Sequence, residues 1–199
     1  MLRKDDTMYE QAIHHLYREL MKQNATPLEK RYRLDHSLRV ANIAREVATA
    51  EGQDVLVATL GGILHDLGKH VAGPDEMHGW ISADMAMPFV KSLGVSEKQM
   101  RDIHYSIAGH EDGNAGYEYE DIAEADTVHQ ADAIERLCIY RVFETLDRGE
   151  IGCIDASEIL QKCEAGMITN MKAMLTTDTA RRIFAQVLSG RVALYSSLN

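Results

Sequence analysis

Residues 55–66 read VLVATLGGILHD: no charged side chain stands between Val55 and Leu64, and then an imidazole and a carboxylate follow at once. A run that is apolar on every side predicts a helix buried all round in the middle of a core. At ten residues it is the longest apolar run in the chain, and a membrane span needs roughly 18 or more. Asp54 is a suitable cap for its first turn. The expected helix, about 54–67, therefore carries His65 and Asp66 into a place where apolar side chains belong. An unpaired buried carboxylate is costly, so such a group is neutralised, paired or bound to a metal.

The same anomaly recurs on either side. Val40, Ile43, Ala44 and Val47 form one helical stripe, and His36, four residues before Val40, continues it toward the helix start. Val128, Ile139 and Phe143 form another stripe, and Asp132 falls within it. A single His or Asp on an apolar face is more often a hydrogen-bonded core residue than a ligand. Two imidazoles and two carboxylates carried by three helices are a metal-ligand set, and their nitrogen and oxygen donors suit Mn, Fe, Co, Ni or Zn. Residue types do not choose among these ions.

The rest of the pattern is helical as well. Helices are expected at about 6–23, 36–51, 80–93, 97–110, 121–147, 156–175 and 177–197. Ser96 with Gln99 forms a capping box after Gly94, Pro27 lies in the connector before the second helix, and residues 68–77 (with Gly73-Pro74) and 112–120 read as polar loops. With no strand pattern and no internal repeat, the fold class is all-α. The 199 residues, 45% hydrophobic, suffice for one core and show no boundary. One domain is expected over 1–199, its motif-bearing core at about 30–145 and C-terminal helices at about 156–197 packed on it.

Composition narrows the function classes. Cys138, Cys153 and Cys163 are odd in number with no CxxC spacing, which fits a reducing cytosol. The charged N-terminus has no signal-like apolar stretch. These features point to a cytoplasmic protein without membrane attachment. A net charge of −10 argues against duplex nucleic acid as a partner. It is compatible with a small phosphorylated substrate, because a metal ion supplies positive charge locally. Oligomeric state is not legible.

His36 in LDHSLRVANIA, His65-Asp66 in GGILHDLGKH and Asp132 in VHQADAIERL, spaced 29 and 66 residues apart, resemble the H…HD…D motif of the HD superfamily of metal-dependent phosphohydrolases. The likeness covers roughly residues 30–145. QADAIERLCIYRVFE and MKAMLTTDTARRIFAQ further resemble small bacterial HD hydrolases in which nucleotide pyrophosphohydrolase activity is known. The resemblance implies an HD-type helical bundle with one or two divalent ions. It implies a reaction in which water activated by the ion attacks a phosphomonoester or phosphoanhydride, with a nucleotide as best single substrate.

Many HD proteins place two further histidines between the HD pair and the last Asp. His78, opening HGWISADMA, and His110, ending VSEKQMRDIHYSIAGHE, are the candidates for a second ion; the alternative is a one-ion site that both merely line. In the two-ion case Asp66 is the bridging carboxylate. His104, about 120° round the helix from His110, points elsewhere. Lys69 in HDLGK is a candidate catalytic group for holding phosphate, with a solvated lysine as the alternative. Arg39 and Arg136 are candidates to pair with ligands or substrate, and Glu111 is a base, a ligand support or a surface acid. His14, His15, His70 and His129 read as surface or packing residues. HEDGNAGY (110–117) lacks the paired histidine and the spacing of the HHExxDGxGYP signature of cyclic-di-nucleotide phosphodiesterases, and that assignment is rejected.

Two rivals remain open. A few HD proteins with a similar ligand set use a di-iron centre to oxidise C–H bonds with O2. A metal-stabilised sensor or partner-binding domain is the second; Met167, Met171 and Met174, at helical spacing, are either its docking stripe or core.

Overall fold

In the computed structural model, which describes residues 4–73, 76–147 and 166–198, all regular structure among those residues is helical. The elements are α1 (Lys4–Lys22), α2 (Pro27–Glu51), α3 (Val55–Leu64), α4 (His78–Ser92), α5 (Glu97–Ala108), α6 (Ala123–Glu135), α7 (Ile139–Asp147), α8 (166–174) and α9 (Asp178–Leu198). They gather into two units, 1–132 and 133–199.

The first unit is built on α3. Asp54 accepts the N–H groups of Leu56 and Val57 and so starts the helix. Every residue from Leu56 to Leu64 is buried. Helices α1, α2 and α5 pack round it, α1 through Ala12, Leu16 and Leu20, and α5 through Ile103 and Ile107. Fully burying one such Leu or Ile contributes about 1.5–3 kcal/mol.

α2 begins at Pro27 rather than near 36. Thr26 accepts the Glu29 N–H while the Glu29 carboxylate accepts the Thr26 N–H, and Pro27 sits in the first turn, where a missing N–H costs nothing. His36 is therefore held in mid-helix, with helical turns on both sides, instead of at a fraying end. Helix α2 also comes very close to α3. A Cβ added to Gly62 would lie 2.7 Å from the Ala41 Cα, so the crossing depends on that glycine.

The remaining starts and stops follow local chemistry. Ser96 and Gln99 form the expected capping box before α5, and Gly94, at φ 68°, follows the end of α4. Residues 112–120 form the expected loop. Of the other expected loop, Pro74 lies outside the described residues. Helix α3 stops at Leu64, and residues 65–70 are turns, so His65 and Asp66 sit just past its end.

In the second unit, the single helix expected over 121–147 is interrupted at 136–138. The buried Arg191 guanidinium takes up the Arg136 and Cys138 carbonyls at 3.0 and 3.5 Å, which offsets the loss of helical bonding there. The apolar stripe through Asp132 consequently ends with α6, and Phe143 on α7 is exposed. Met171 is buried and Met167 and Met174 are half-buried. Cys153, Cys163 and the first ten residues of the helix expected at 156–175 lie outside the described residues.

Candidate metal centre

Six side chains, carried on α2, α4 and α6 or just past the ends of α3 and α5, converge, and all six are buried: His36, His65, Asp66, His78, His110 and Asp132. The Nε2 atoms of His36 and His65 lie 3.1 Å apart. The His36 Nε2 is 3.3 Å from Asp66 Oδ2 and 3.2 Å from Asp132 Oδ1. The His65 Nε2 is 3.5 and 3.9 Å from the same two oxygens. On the other side of Asp66, Oδ1 lies 2.9 Å from His78 Nε2 and 3.7 Å from His110 Nε2. Two groups have ligand atoms close enough to share one ion: His36, His65 and Asp132, and His65, Asp66 and His110.

Backbone carbonyls orient two of these rings. The His65 Nδ1 lies 2.9 Å from the Gly62 carbonyl, and the His110 Nδ1 lies 2.7 Å from that of Ile107. An Nδ1–H given to a carbonyl leaves Nε2 with its lone pair, aimed into the cluster. Asp66 Oδ1, fully buried, has no hydrogen bond despite its near neighbours. Imidazole nitrogens and carboxylate oxygens crowded together in this way are poor packing for a protein and a good cage for a divalent cation. By donor type and geometry the residues fit one or two such ions.

The electrostatics follow from the same contacts. Burial pushes the Asp66 carboxyl up, but His65, the Arg33 guanidinium and the other histidines outweigh it and hold it well below the usual carboxylate range. Burial pulls the His65 imidazole down. For His110 the same burial effect is outweighed by Asp66 and Asp132, which lift it. The Asp66 carboxylate therefore keeps its negative charge, which a cation would need.

Residues outside this set take other places. Lys69 Nζ lies 3.0 and 3.2 Å from the two His78 ring nitrogens and lines a cleft of about 450 Å³ with Gly73, Glu76, Met77, His78 and Glu111. His104 does turn away: its Nδ1 is 2.8 Å from the Tyr117 hydroxyl. Burial, with Tyr119 and Tyr105 beside it, pushes that phenol up to about 12.

Arg33 and His129 escaped the sequence reading, which leaves Glu111 open between base, ligand support and surface acid. Arg33 pairs with Asp66 Oδ2; its place three residues before His36, on the same helix face, was the available signal. His129, taken as surface or packing, puts Nδ1 at 2.5 Å from the His110 carbonyl. Glu111, half-buried, has Oε1 2.6 Å from His78 Nδ1. Arg136 lies in the second unit, where its carbonyl meets Arg191.

The family model for the HD domain matches residues 33–137. Ribonuclease Y of Clostridium novyi is 33% identical over 141 residues, 65% of this chain. The chain spans 14–24% of the length of the ribonuclease Y relatives it matches. Among solved structures, a predicted HD superfamily hydrolase from an uncultured Thermotogales bacterium aligns over 93% of this chain and 88% of its own, at TM-score 0.65 and 18% identity. Bacillus subtilis YpgQ in complex with ADP aligns over 98% of this chain and 95% of its own, at TM-score 0.68 and 17% identity. These structures share the fold; the match over residues 33–137 shows that the chain belongs to the HD domain family.

Proposed function

We propose that this chain is a divalent-metal-dependent phosphohydrolase that cleaves a phosphomonoester or phosphoanhydride of a nucleotide. The observation that carries the reading is the convergence of imidazole Nε2 atoms on both oxygens of Asp66, one of which has no hydrogen-bond partner. YpgQ, of the same fold, has been solved with ADP, and that supports the nucleotide. The three cysteines without paired spacing support a reducing, cytoplasmic setting.

In this reading His36, His65, Asp66 and Asp132 hold one ion, and His78 and His110 hold a second, with Asp66 shared between them. A bound divalent ion supplies Lewis acidity toward a phosphoryl oxygen and activates water. The chain does the rest. His65 and His110, tied through Nδ1 to carbonyls, keep their lone pairs fixed, and Arg33 keeps the Asp66 carboxylate ionised and in place. Lys69 lines the cleft beside His78, where its ammonium offsets charge on a phosphate. The organisation of 1–199 as one HD-type domain is part of the proposal; limited proteolysis yielding a stable, folded 1–132 fragment would overturn it.

The test is a nucleotide panel incubated with the purified chain and Mn, Co or Ni, without oxygen. Release of phosphate or pyrophosphate is the expected result. O2 uptake with reduced iron and an organic substrate, with no hydrolysis under any metal, would establish the oxygenase alternative. Silence in both would favour the metal-stabilised binding domain. The 33–37% identity to proteins named ribonuclease Y favours a second substrate, so a single-stranded RNA oligonucleotide belongs on the panel.

A further inference from the structure

Helix α4 starts without a cap from its own segment: Met77, at the N-cap, makes no side-chain hydrogen bond there. Glu111, just past α5, supplies one. Its Oε2 accepts the Gly79 N–H at 3.1 Å, and its Oε1 lies 2.6 Å from His78 Nδ1. The first turn of a helix offers free N–H groups and a partial positive charge, so a carboxylate is favourable there. The approach needs a glycine. A Cβ at position 79 would fall 2.7 Å from the Ala108 carbonyl oxygen and 3.2 Å from His110 Nδ1.

His78 differs from the other two oriented histidines. His65 and His110 each reach a carbonyl three residues back in their own segment, so local backbone geometry sets their rings. His78 is the first residue of its helix; its Nδ1 has Lys69 Nζ at 3.0 Å and, nearer, at 2.6 Å, the Glu111 carboxylate from another part of the chain. With Nδ1–H given to Glu111, Nε2 keeps its lone pair, 2.9 Å from Asp66 Oδ1. One carboxylate thus does two things: it caps α4, and it sets which nitrogen of His78 faces the centre.

We propose that Glu111 is a positioning residue that orients His78 as a ligand of the second ion, an inference that rests on the two-ion reading above. The plain alternative is a helix cap with no bearing on metal. The two differ in what ion binding does when the carboxylate is altered. Glu111→Gln retains an oxygen for the Gly79 N–H, but it cannot accept from both donors. Glu111→Ala removes both contacts.

The experiment is calorimetric Mn(II) titration of the full chain as wild type, E111Q, E111A and H78A, with thermal melts of the metal-free proteins alongside. Wild type is expected to take two ions. E111Q should weaken the second by about 10–100-fold, the usual cost of losing the partner of a ligating histidine, and leave the first unchanged. H78A should show the same selective loss. If E111Q and E111A bind both ions as wild type does, whatever their melting temperatures, Glu111 is a cap only and the inference is overturned while the two-ion reading stands. If wild type takes a single ion, the two-ion reading fails, and the positioning role falls with it.

Discussion

The Nε2 atoms of His36, in the middle of α2, and His65, just past the end of α3, stand 3.1 Å apart. Since the His65 Nδ1 faces the Gly62 carbonyl, its Nε2 brings a lone pair to this contact, and Asp66 and Asp132 bring negative oxygens. A divalent ion relieves that crowding. An ion that binds the folded chain alone adds about 2.7 kcal/mol of stability at a hundredfold excess over its Kd. Thermal melts with Mn(II) and with a chelator should therefore differ by several degrees. Asp66→Ala removes both carboxylate oxygens, one facing His36 and His65 and the other facing His78 and His110, and should abolish both the shift and the activity. A full shift in that variant would defeat the assignment.

Arg33 and Asp66 are a buried ion pair with side-chain exposures of 11% and 5%. Arg33→Ala leaves a buried carboxylate without its guanidinium, a change that costs about 3–5 kcal/mol in buried pairs. Urea unfolding in the presence of chelator should show a loss of that order. With saturating Mn(II) the loss should shrink, because the ion offsets the same carboxylate. Equal losses in both conditions would mean that Arg33 acts through packing alone.

Gly62→Ala tests the α2–α3 crossing. The added methyl would sit 2.7 Å from Ala41 Cα and 3.0 Å from Ala41 N, both backbone atoms that cannot swing aside. The helices must separate, at about 1–3 kcal/mol or more for an overpacked site. His36 then moves away from His65, so Mn(II) affinity should fall along with stability. Unchanged affinity in a destabilised variant would show that the site tolerates the shift.

His15 makes acid sensitivity testable away from the metal centre. Its ring stacks on Phe89 at 4.3 Å, and its Nε2 is buried with no hydrogen bond. Burial pulls its pKa below the ordinary 6.5, against the opposing pull of Glu19 and with the help of Arg18 and Lys22. Below 6.5 the unfolded chain takes up a proton that the folded one resists. The His15 contribution is thus fully present above pH 6.5 and is lost as pH falls through the lower folded value. His15→Phe, which cannot titrate, should flatten the acid side of the stability profile measured in chelator. An identical profile would place the titration elsewhere.

The buried axis and its polar end were legible in residues 55–66 because burial on all sides and a capping Asp are properties of a short segment. His36 and Asp132 were legible for a related reason: a polar group breaking an apolar stripe needs only the helical period to be seen. The start of α2 was misread although its signal is local, since Thr26-Pro27-Leu28-Glu29 is a capping box with proline in the first turn. The break at 136–138 carries no glycine or proline and had no local signal. The side chain that takes up its carbonyls, Arg191, lies more than fifty residues away.

The sequence by itself determined the all-helical class, the caps of α3 and α5, and the four side chains that a core would not otherwise carry. Each of these rests on periodicity or on hydrogen bonds within a few residues. Only the tertiary structure decided that Arg33 faces Asp66, that His129 holds the His110 carbonyl and that Glu111 takes both His78 and the first turn of α4. Those pairings arise where backbones from separate parts of the chain come close, at Gly62 and Gly79 among other points. No local repeat encodes where two helices meet.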